Sequence, residues 1–454
     1  MPTSMDSRIT QLYTDRFPRS AELYSTALEL FPSGVTHDQR FLKPFPVYAD
    51  RAAGSRKTTV DGPDVIDYWV GHGAVLLGHS HPAVVEAIQK QAPLATHPGA
   101  CHELELQWCE LVQQLVPSAE LTRFTSSGTE ATLMAIRVSR IASGKTKVIK
   151  FAGQFGGWHD GLIHAAEPPR NRTYDTPGIP AGHLADLILV PPNDLAALEA
   201  AIEEHDPACV IHEGNGTRWG TVPARPDFLK GLREVTQRTG VIFILDEVIT
   251  GFRVHPNCFQ GICDIVPDLT TLAKVLAGGL PGGCLTGRAD LMQVLAFDNP
   301  LGKKMKHPGT YNANPLSAAA GIAALKIVAT GEPGRVSNER AATLRSRLNS
   351  LFQSMNSRFV AYGDYSAIKI LPDYDGPRGN ADDFIPYNGD WQQIDRTVDA
   401  SLTHAYRCAL LLGGVDWMGW GGSTSLAHSE SDIDQTVGAF EQAITLLRSD
   451  GFDV

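Results

Sequence analysis

Two stretches of apolar and β-branched residues each end in a single ionisable side chain. The first spans 241–245 and is followed by Asp246, and the second spans 269–273 and is followed by Lys274. Runs this apolar predict buried parallel strands, because a strand with one solvent-exposed face would alternate apolar and polar residues. In open α/β sheets, ligands bind beyond the carboxyl ends of the strands. The two runs therefore predict an α/β fold with Asp246 and Lys274 in one crevice.

A carboxylate and a lysine in one crevice suit a particular cofactor. A lysine can form a Schiff base with an aldehyde, and a carboxylate can keep a ring nitrogen protonated. Pyridoxal phosphate (PLP) needs both groups. Either residue alone would more often be a helix cap or a solvated charge. The segment 275–283 favours the cofactor, because its four glycines allow a backbone to bend tightly and approach a ligand closely.

A phosphate site is predicted where residues 124–129 lead into an amphipathic segment. Apolar residues at 133, 136 and 138 fit one face of a helix, so Ser127, Gly128 and Thr129 would lie at its N-terminus. Free N–H groups and the helix dipole favour an anion there. An ordinary Ser or Thr helix cap is the alternative that this segment alone leaves open.

Composition narrows the class of protein. A net charge of −11 argues against a nucleic-acid surface, and no apolar run of eighteen residues or signal-peptide pattern occurs. We therefore expect a cytoplasmic protein without membrane contact. Seven cysteines without a C-x-x-C pair argue against a disulfide framework. His255, Cys258 and Cys263 could be imagined as metal ligands, but loop or packing roles fit them better, so no metal is expected.

Three segments follow from the patterns along the chain. Residues 1–70 predict a helix and short strands, and residues 71–330 alternate strand and helix patterns, as in a mostly parallel sheet covered on both faces. A turn signal at 330–333 precedes residues 331–454, which predict a smaller C-terminal domain. With 454 residues, of which 43% are hydrophobic, the chain can bury more than one core.

The chain resembles the class III, fold-type I, PLP-dependent aminotransferases. Within them it is similar to D-phenylglycine aminotransferases and glutamate-1-semialdehyde aminomutases. The resemblance covers nearly the whole chain, and its motifs occur in family order at 71–82, 123–130, 157–160, 246–253, the Lys274 segment and 309–315. It implies a large PLP-binding domain with a mostly parallel sheet. It also implies a smaller α+β domain built from the N- and C-terminal segments.

The resemblance implies which residues hold the cofactor ring. Lys274 would bind the aldehyde, and Asp246 would pair with the protonated ring nitrogen. Val248 would pack on one face of the ring and Phe155 on the other, where the family usually has tyrosine. Core packing is the alternative for Phe155.

The phosphate contacts carried over from the family extend to a second subunit. Ser127, Gly128 and Thr129 would bind the phosphate from one subunit, and Thr310 would reach the phosphate of its neighbour. The resemblance therefore implies a homodimer in which each active site is shared.

The loop at 212–220 departs from the family pattern. Glu213 matches a cofactor-binding glutamate of the family, but Gly214 replaces the usual proline, and Arg218 stands where an asparagine should contact the ring hydroxyl. Either Asn215 serves after a shift in register, or Arg218 supplies the contact. The sequence leaves both alternatives open.

The substrate side rests on fewer residues. Arg40 matches an arginine that the relatives place near the substrate carboxylate, and His72 matches the D-phenylglycine enzymes, whereas the aminomutases have tryptophan. A surface role is the alternative for Arg40. Trp417 and Trp420 would form an aromatic substrate wall or belong to the core. The C-terminal glutamate with which the aminomutases manage their diamine intermediate has no counterpart near them.

We therefore expect an aminotransferase that uses a Schiff base on Lys274. It would move an amino group between a keto acid and an amino acid or amine, with room for an aromatic or bulky side chain. One alternative is a glutamate-1-semialdehyde-type 2,1-aminomutase, or another PLP reaction such as racemisation or decarboxylation. A second is a non-catalytic PLP-binding relative, which the presence of both Lys274 and Asp246 disfavours.

Overall fold

The computed structural model describes residues 7–167, 176–379 and 383–454. The strands are β1 Ala49–Ala53, β2 Arg56–Thr59, β3 Asp64–Asp67, β4 Leu121–Thr125, β5 Val148–Phe151, β6 Leu187–Val190, β7 Cys209–Glu213, β8 Val222–Pro223, β9 Ile242–Glu247, β10 Leu269–Ala273, β11 Gly283–Gly287, β12 Val360–Tyr362, β13 Ala367–Leu371, β14 Val415–Asp416 and β15 Gly421–Ser423.

The helices of these ranges surround the strands. They are α1 Arg8–Arg16, α2 Pro18–Leu30, α3 Pro82–Gln91, α4 Glu103–Leu115, α5 Gly128–Ser143, α6 Ala181–Ala185, α7 Leu195–His205, α8 Thr217–Gly220, α9 Pro226–Thr239, α10 Cys258–Cys263, α11 Ala289–Met292, α12 Pro315–Val328, α13 Glu332–Ser354, α14 Trp391–Ile394, α15 Ala400–Leu412 and α16 Glu430–Ser449.

The central sheet has seven strands in the order β4-β11-β10-β9-β7-β5-β6. Only β11 runs antiparallel to its neighbours, and the other six strands point the same way. Every residue of β9 and β10 is buried, as the two apolar runs predicted, because helices cover both faces of a mostly parallel sheet. The predicted fold class is confirmed.

Strand register brings the polar strand ends together. Glu213 in β7 pairs with Asp246 in β9, and Asp246 pairs with Thr271 in β10. Paired residues of neighbouring parallel strands project to the same face, so three polar side chains lie side by side at the carboxyl ends. Lys274 directly follows β10 and lies at the same edge.

Helix α5 begins where the sequence predicted. Ser127 is its N-cap, and the Ser127 hydroxyl accepts a hydrogen bond from the Glu130 N–H at 3.2 Å. The Glu130 carboxylate in turn accepts from the Ser126 N–H at 2.6 Å, so the first turn is fixed from both sides. Gly144 ends the helix at φ 72°, a left-handed conformation that glycine adopts readily.

The two ends of the chain build a second structural unit. Ile9, Tyr13 and Phe17 of the N-terminal segment share a buried core with residues of α13, α15 and α16. Strand β14 adds to the N-terminal strands in the order β1-β2-β3-β14, and β12-β13-β15 forms a further sheet. The smaller α+β domain implied by the family resemblance is therefore present, and the boundaries at residues 70 and 330 stay predictions.

The sequence argued against a disulfide framework, a metal site and a membrane span. All seven cysteines are free thiols. Within the described ranges, no three His, Cys, Asp or Glu side chains are grouped as a metal site would require. Among the helices given above, none combines the length and the apolar character needed to span a bilayer.

Candidate active site at the carboxyl ends of the central strands

Lys274 lies at the base of the crevice in an unusual backbone conformation. Its φ is 53°, a left-handed value that is uncommon for residues other than glycine and is frequent at functional sites. Its Nζ has no hydrogen bond or ion pair among the described residues. Burial lowers the pKa of Lys274 to about 8, and the nearby Arg253 contributes. Roughly a tenth of the side chain would then be the neutral, nucleophilic amine at pH 7.

Asp246 presents one committed and one free carboxylate oxygen. Its Oδ1 accepts from the Val248 N–H at 3.0 Å and from the Thr271 hydroxyl at 3.1 Å. Its Oδ2 accepts no hydrogen bond from any residue that the structure describes. Burial raises the pKa of Asp246, and the two hydrogen bonds and Lys274 oppose that rise. The free oxygen can therefore accept from a cationic N–H of a ligand.

Glu213 contacts the backbone that carries Phe155. The Glu213 carboxylate accepts a hydrogen bond from the Phe155 N–H, while the Glu213 N–H donates to the Gln154 side chain at 3.1 Å. Burial and the adjacent Asp246 raise the pKa of Glu213 to about 7. The Phe155 residue is 43% exposed, so its ring is not a core residue of this chain. Glu213 is thus placed to position an aromatic ring rather than to serve only as a ligand.

The N-terminus of α5 offers free donors beside the Lys274 strand. Within the described part of the chain, the N–H groups of Gly128 and Thr129 have no acceptor. A Cβ atom at Gly128 would lie 2.7 Å from Val248 Cγ1, and one at Gly157 would lie 3.1 Å from Thr129 Cα. Both glycines therefore permit a close approach that an alanine would block. An anion can be bound at this helix end, next to Val248.

The loop after β7 resolves part of the choice between Asn215 and Arg218. Asn215 is 2% exposed, and its Nδ2 is buried without a hydrogen-bond partner in the described ranges. A Cβ atom at Gly220 would lie 2.9 Å from this Nδ2, so the amide faces the loop itself. The Arg218 guanidinium forms an ion pair with Asp395, which lies between α14 and α15. Arg218 is therefore committed to Asp395, whereas the Asn215 amide nitrogen has no partner in the described ranges, and the contact to the ring hydroxyl stays a prediction.

The substrate side contains two histidines and an arginine. The rings of His37 and His72 lie 4.5 Å apart, and Trp69 contacts His72 edge-on at 5.0 Å. Burial, together with the nearby His37, Lys274 and Arg40, lowers the pKa of His72 to about 4. Arg40 is exposed and donates to the Thr36 hydroxyl at 3.0 Å. These groups can present neutral and cationic donors to a carboxylate near Lys274.

Trp417 belongs to the core, and Trp420 is half-buried against the same core. Trp417 is 1% exposed and packs against Tyr68 and Phe440. Trp420 stacks on Tyr406 at 4.3 Å, and its indole N–H donates to Thr403 at 3.0 Å. Of the two roles that the sequence left open, core packing is the one observed.

Thr310 lies on an exposed loop that precedes α12. Two hydrogen bonds hold the C-terminal end of the loop: Asn314 donates to the Thr96 carbonyl at 2.7 Å, and His102 donates to the Ala313 carbonyl at 2.8 Å. Thr310 and Tyr311 are both exposed. A residue of this kind can contact a second copy of the chain.

Sequence analysis missed three residues of this region. Thr271 holds Asp246, His37 contacts His72, and Arg253 is fully buried beside the crevice. Thr271 left a signal, since a hydroxyl within an apolar strand needs a partner. Arg253 ends the family motif at 246–253 and His37 lies three residues before Arg40, but nothing in the spacing indicates their contacts.

Three groups in this region match three parts of PLP. A free carboxylate oxygen on Asp246 suits the ring nitrogen, and an amine without a partner on Lys274 suits the aldehyde. Unpaired N–H groups at Gly128 and Thr129 suit the phosphate. Each group is left without a partner among the described residues. Asp246 is buried and Lys274, Gly128 and Thr129 are half-buried, and polar groups withdrawn from water usually have a partner.

Comparisons with known proteins agree on one family. Residues 39–361 match the family model described as aminotransferase class-III. Over alignments covering 96% of this chain and 99% of the relative, the sequence is 37% identical to glutamate-1-semialdehyde 2,1-aminomutase of Chloroflexus aggregans. An omega-transaminase structure from Sphaerobacter thermophilus matches with a TM-score of 0.84 at 28% identity, covering 94% of this chain and 98% of that chain. A transaminase structure with PLP bound matches with a TM-score of 0.84 at 28% identity, covering 95% and 99%.

Closing the space between α5 and Val248 should release the cofactor. In Gly128→Ala the new methyl group would overlap Val248, and overpacking of this kind costs about 1–3 kcal/mol. The Kd of PLP, measured by absorbance titration, should rise roughly tenfold or more. Gly438→Ala is the matched control, because a Cβ atom there meets nothing within 4 Å. Unchanged affinity in Gly128→Ala would remove α5 from the site.

Proposed function

The chain belongs to the class-III aminotransferase family, and we propose that it moves an amino group between an amino acid or amine and a keto acid. Its cofactor is PLP. One observation supports the proposal most directly. The Lys274 amine and the Asp246 Oδ2 atom belong to the same sheet edge, and neither has a partner among the described residues. An aminomutase on the same scaffold is the alternative, and the similarity to glutamate-1-semialdehyde 2,1-aminomutase supports it about as well.

The proposed roles come from the family resemblance, and the positions of the side chains support them. When bound, the cofactor supplies an aldehyde for amines and a protonated ring that withdraws electrons from the bond that breaks. Asp246 Oδ2 would accept a hydrogen bond from the ring N–H, which favours the protonated nitrogen. Val248 and Phe155, whose N–H is held by Glu213, would hold the ring. Lys274 would hold the aldehyde and move the proton of the substrate carbon, for which its lowered pKa suits it.

Phosphate binding is assigned to the start of α5. A phosphate here would accept hydrogen bonds from the N–H groups of Gly128 and Thr129 and from the hydroxyls of Ser127 and Thr129. The helix dipole adds to the attraction. Ser127 keeps its cap on the Glu130 N–H while its own hydroxyl proton stays available. Phosphate binding at this helix end would bring the ring next to Val248, because Gly128 adjoins Val248.

A substrate carboxylate is assigned to the group formed by Arg40, His37 and His72. The His37 Nδ1 accepts from the Gln39 N–H at 3.2 Å, which places the ring proton on Nε2 as a donor. Arg40 contributes a charged fork on the exposed side, where its planar geometry suits a carboxylate. Because Trp417 and Trp420 pack in the core, the side chain of the substrate is limited by Trp69 and His72 instead.

Asp416 supports a transaminase over a mutase. It is the acidic residue next to Trp417. The aminomutases that the chain resembles manage their diamine intermediate with a C-terminal glutamate, and Asp416 would have to take that role here. The Asp416 carboxylate forms an ion pair with Lys57, and its Oδ1 accepts from the Trp69 indole at 2.8 Å. A carboxylate with both oxygens committed is not available for an intermediate with two amino groups.

A homodimer is the proposed active assembly. Leu94 is 76% exposed and Tyr311 is 60% exposed, and the loops that carry them are joined by the His97–Tyr311 ring contact at 5.2 Å. Exposed apolar groups of this size favour burial against another chain. Thr310 lies in the same loop and would then face the phosphate site of the second copy.

A half-reaction separates the two functions. Mixing the PLP-loaded enzyme with an amino acid should convert the cofactor to its pyridoxamine form and release one keto acid per site. Chromatography of the released acid and the change in cofactor absorbance measure the result. Lys274→Ala should abolish the conversion, because no amine is then left at the end of β10 to hold the aldehyde and move the proton.

A different result would identify the chain as an aminomutase. Efficient turnover of glutamate-1-semialdehyde to 5-aminolevulinate, without an external acceptor and without release of a keto acid, would establish the mutase. Normal conversion by Lys274→Ala would contradict both functions.

Subunit contact is tested with a charge on the exposed loop. Leu94→Glu should shift the sedimentation coefficient from dimer toward monomer and weaken PLP binding, because Thr310 would no longer reach its neighbour. Val266→Glu is the control, since Val266 is 52% exposed but precedes β10 at the end away from Lys274. A wild-type monomer with full activity at the assay concentration would contradict the shared site.

A further inference from the structure

A strained turn carries His72 into the crevice. Four consecutive residues have positive φ values: Val70 at 41°, Gly71 at 61°, His72 at 55° and Gly73 at 89°. The left-handed region is costly for residues with a Cβ atom, and most of all for β-branched valine. Strain of this kind persists only where the surroundings hold the backbone in place, and it is concentrated at functional sites.

Arg253 binds the last residue of this turn. Its Nε and Nη2 both donate to the Gly73 carbonyl, at 3.1 Å and 2.8 Å. Its Nη1 donates to the Thr424 carbonyl at 3.0 Å and to the Ser366 hydroxyl at 3.4 Å. One buried guanidinium therefore joins the turn to two segments of the C-terminal domain.

Arg253 binds backbone carbonyls and a hydroxyl rather than a carboxylate. It is fully buried, and among the residues that the structure describes no carboxylate pairs with it. Buried arginines kept for stability are usually paired with an acid. A Cβ atom at Gly73 would lie 3.9 Å from both Arg253 Nε and Lys274 Cδ, so the clamped carbonyl adjoins the catalytic lysine.

We propose that Arg253 is a positioning residue that clamps the left-handed turn 70–73 and thereby holds His72 facing the crevice. The clamp stands on the hydrogen bonds and φ values alone. Only the effect on substrate rests on the proposed function. The guanidinium is also a nearby cation: burial lowers the pKa of Arg253 to about 9, so it stays charged at pH 7 and helps to lower the pKa of Lys274.

Hydrogen exchange of the PLP-loaded enzyme tests the clamp. Gly73 and Val75 donate to the Val70 carbonyl at 3.1 Å and 3.0 Å within the turn, so their amides report its opening. In Arg253→Met, exchange in the peptide 69–76 should accelerate by about tenfold or more. Arg253→Lys, which keeps the charge but not the fork, should give a smaller acceleration in the same peptide.

Arg345 provides a matched control. It is also a buried arginine, 4% exposed, whose Nη1 donates to the carbonyls of Tyr365 at 2.9 Å and Ala367 at 2.7 Å. Arg345→Met should accelerate exchange near residues 365–368 and leave the peptide 69–76 at the wild-type rate. A general loss of stability would instead accelerate both regions in every variant.

Kinetics of Arg253→Lys give a second readout. The KM for the amino acid should rise about tenfold while kcat stays within about threefold, because a loosened His72 weakens binding more than chemistry. Should Arg253→Met not fold, Arg253→Lys carries the test alone. Wild-type exchange in 69–76 in a folded Arg253→Lys protein overturns the proposal. The exchange result does not depend on which reaction the enzyme catalyses. The clamp can therefore be contradicted while the proposed aminotransferase function stands, and the reverse also holds.

Discussion

The register of β7, β9 and β10 is the constraint on which the site depends. It lines up Glu213, Asp246 and Thr271 at one edge of a sheet whose strands are otherwise apolar and buried. Lys274 directly follows β10, so its amine belongs to the same sheet edge as the Asp246 carboxylate. A shift of one residue in β10 would turn Thr271 to the other face and leave Asp246 without its hydroxyl donor.

Burial sets the protonation states in this crevice. The same loss of water that raises the pKa of Glu213 and Asp246 lowers the pKa of Lys274. The buried Arg253 adds a fixed positive charge whose only acceptors in the described residues are carbonyl and hydroxyl oxygens. Stability alone would not favour four ionisable groups so close together. Their arrangement is explained by the chemistry of an amine and a ring nitrogen.

Much of the fold was predictable from local patterns. The apolar runs before Asp246 and Lys274 predicted parallel strands, and the start of α5 at Ser127 followed from its cap and helical periodicity. Contacts between distant segments were not predictable in the same way. The role of Arg253 depends on Gly73, Ser366 and Thr424, which are brought together only by the folded chain. For the tryptophans near residue 420, composition could not separate a pocket wall from a core.

The central claim is that PLP is held at Lys274 and nowhere else on this chain. Borohydride reduction of the PLP-loaded protein, followed by peptide mass spectrometry, measures this directly. The account predicts one modified lysine per chain, Lys274, with the buried Lys150 and Lys369 unmodified and no modification in Lys274→Ala. Modification of another lysine in the wild-type protein, with Lys274 left intact, would contradict it.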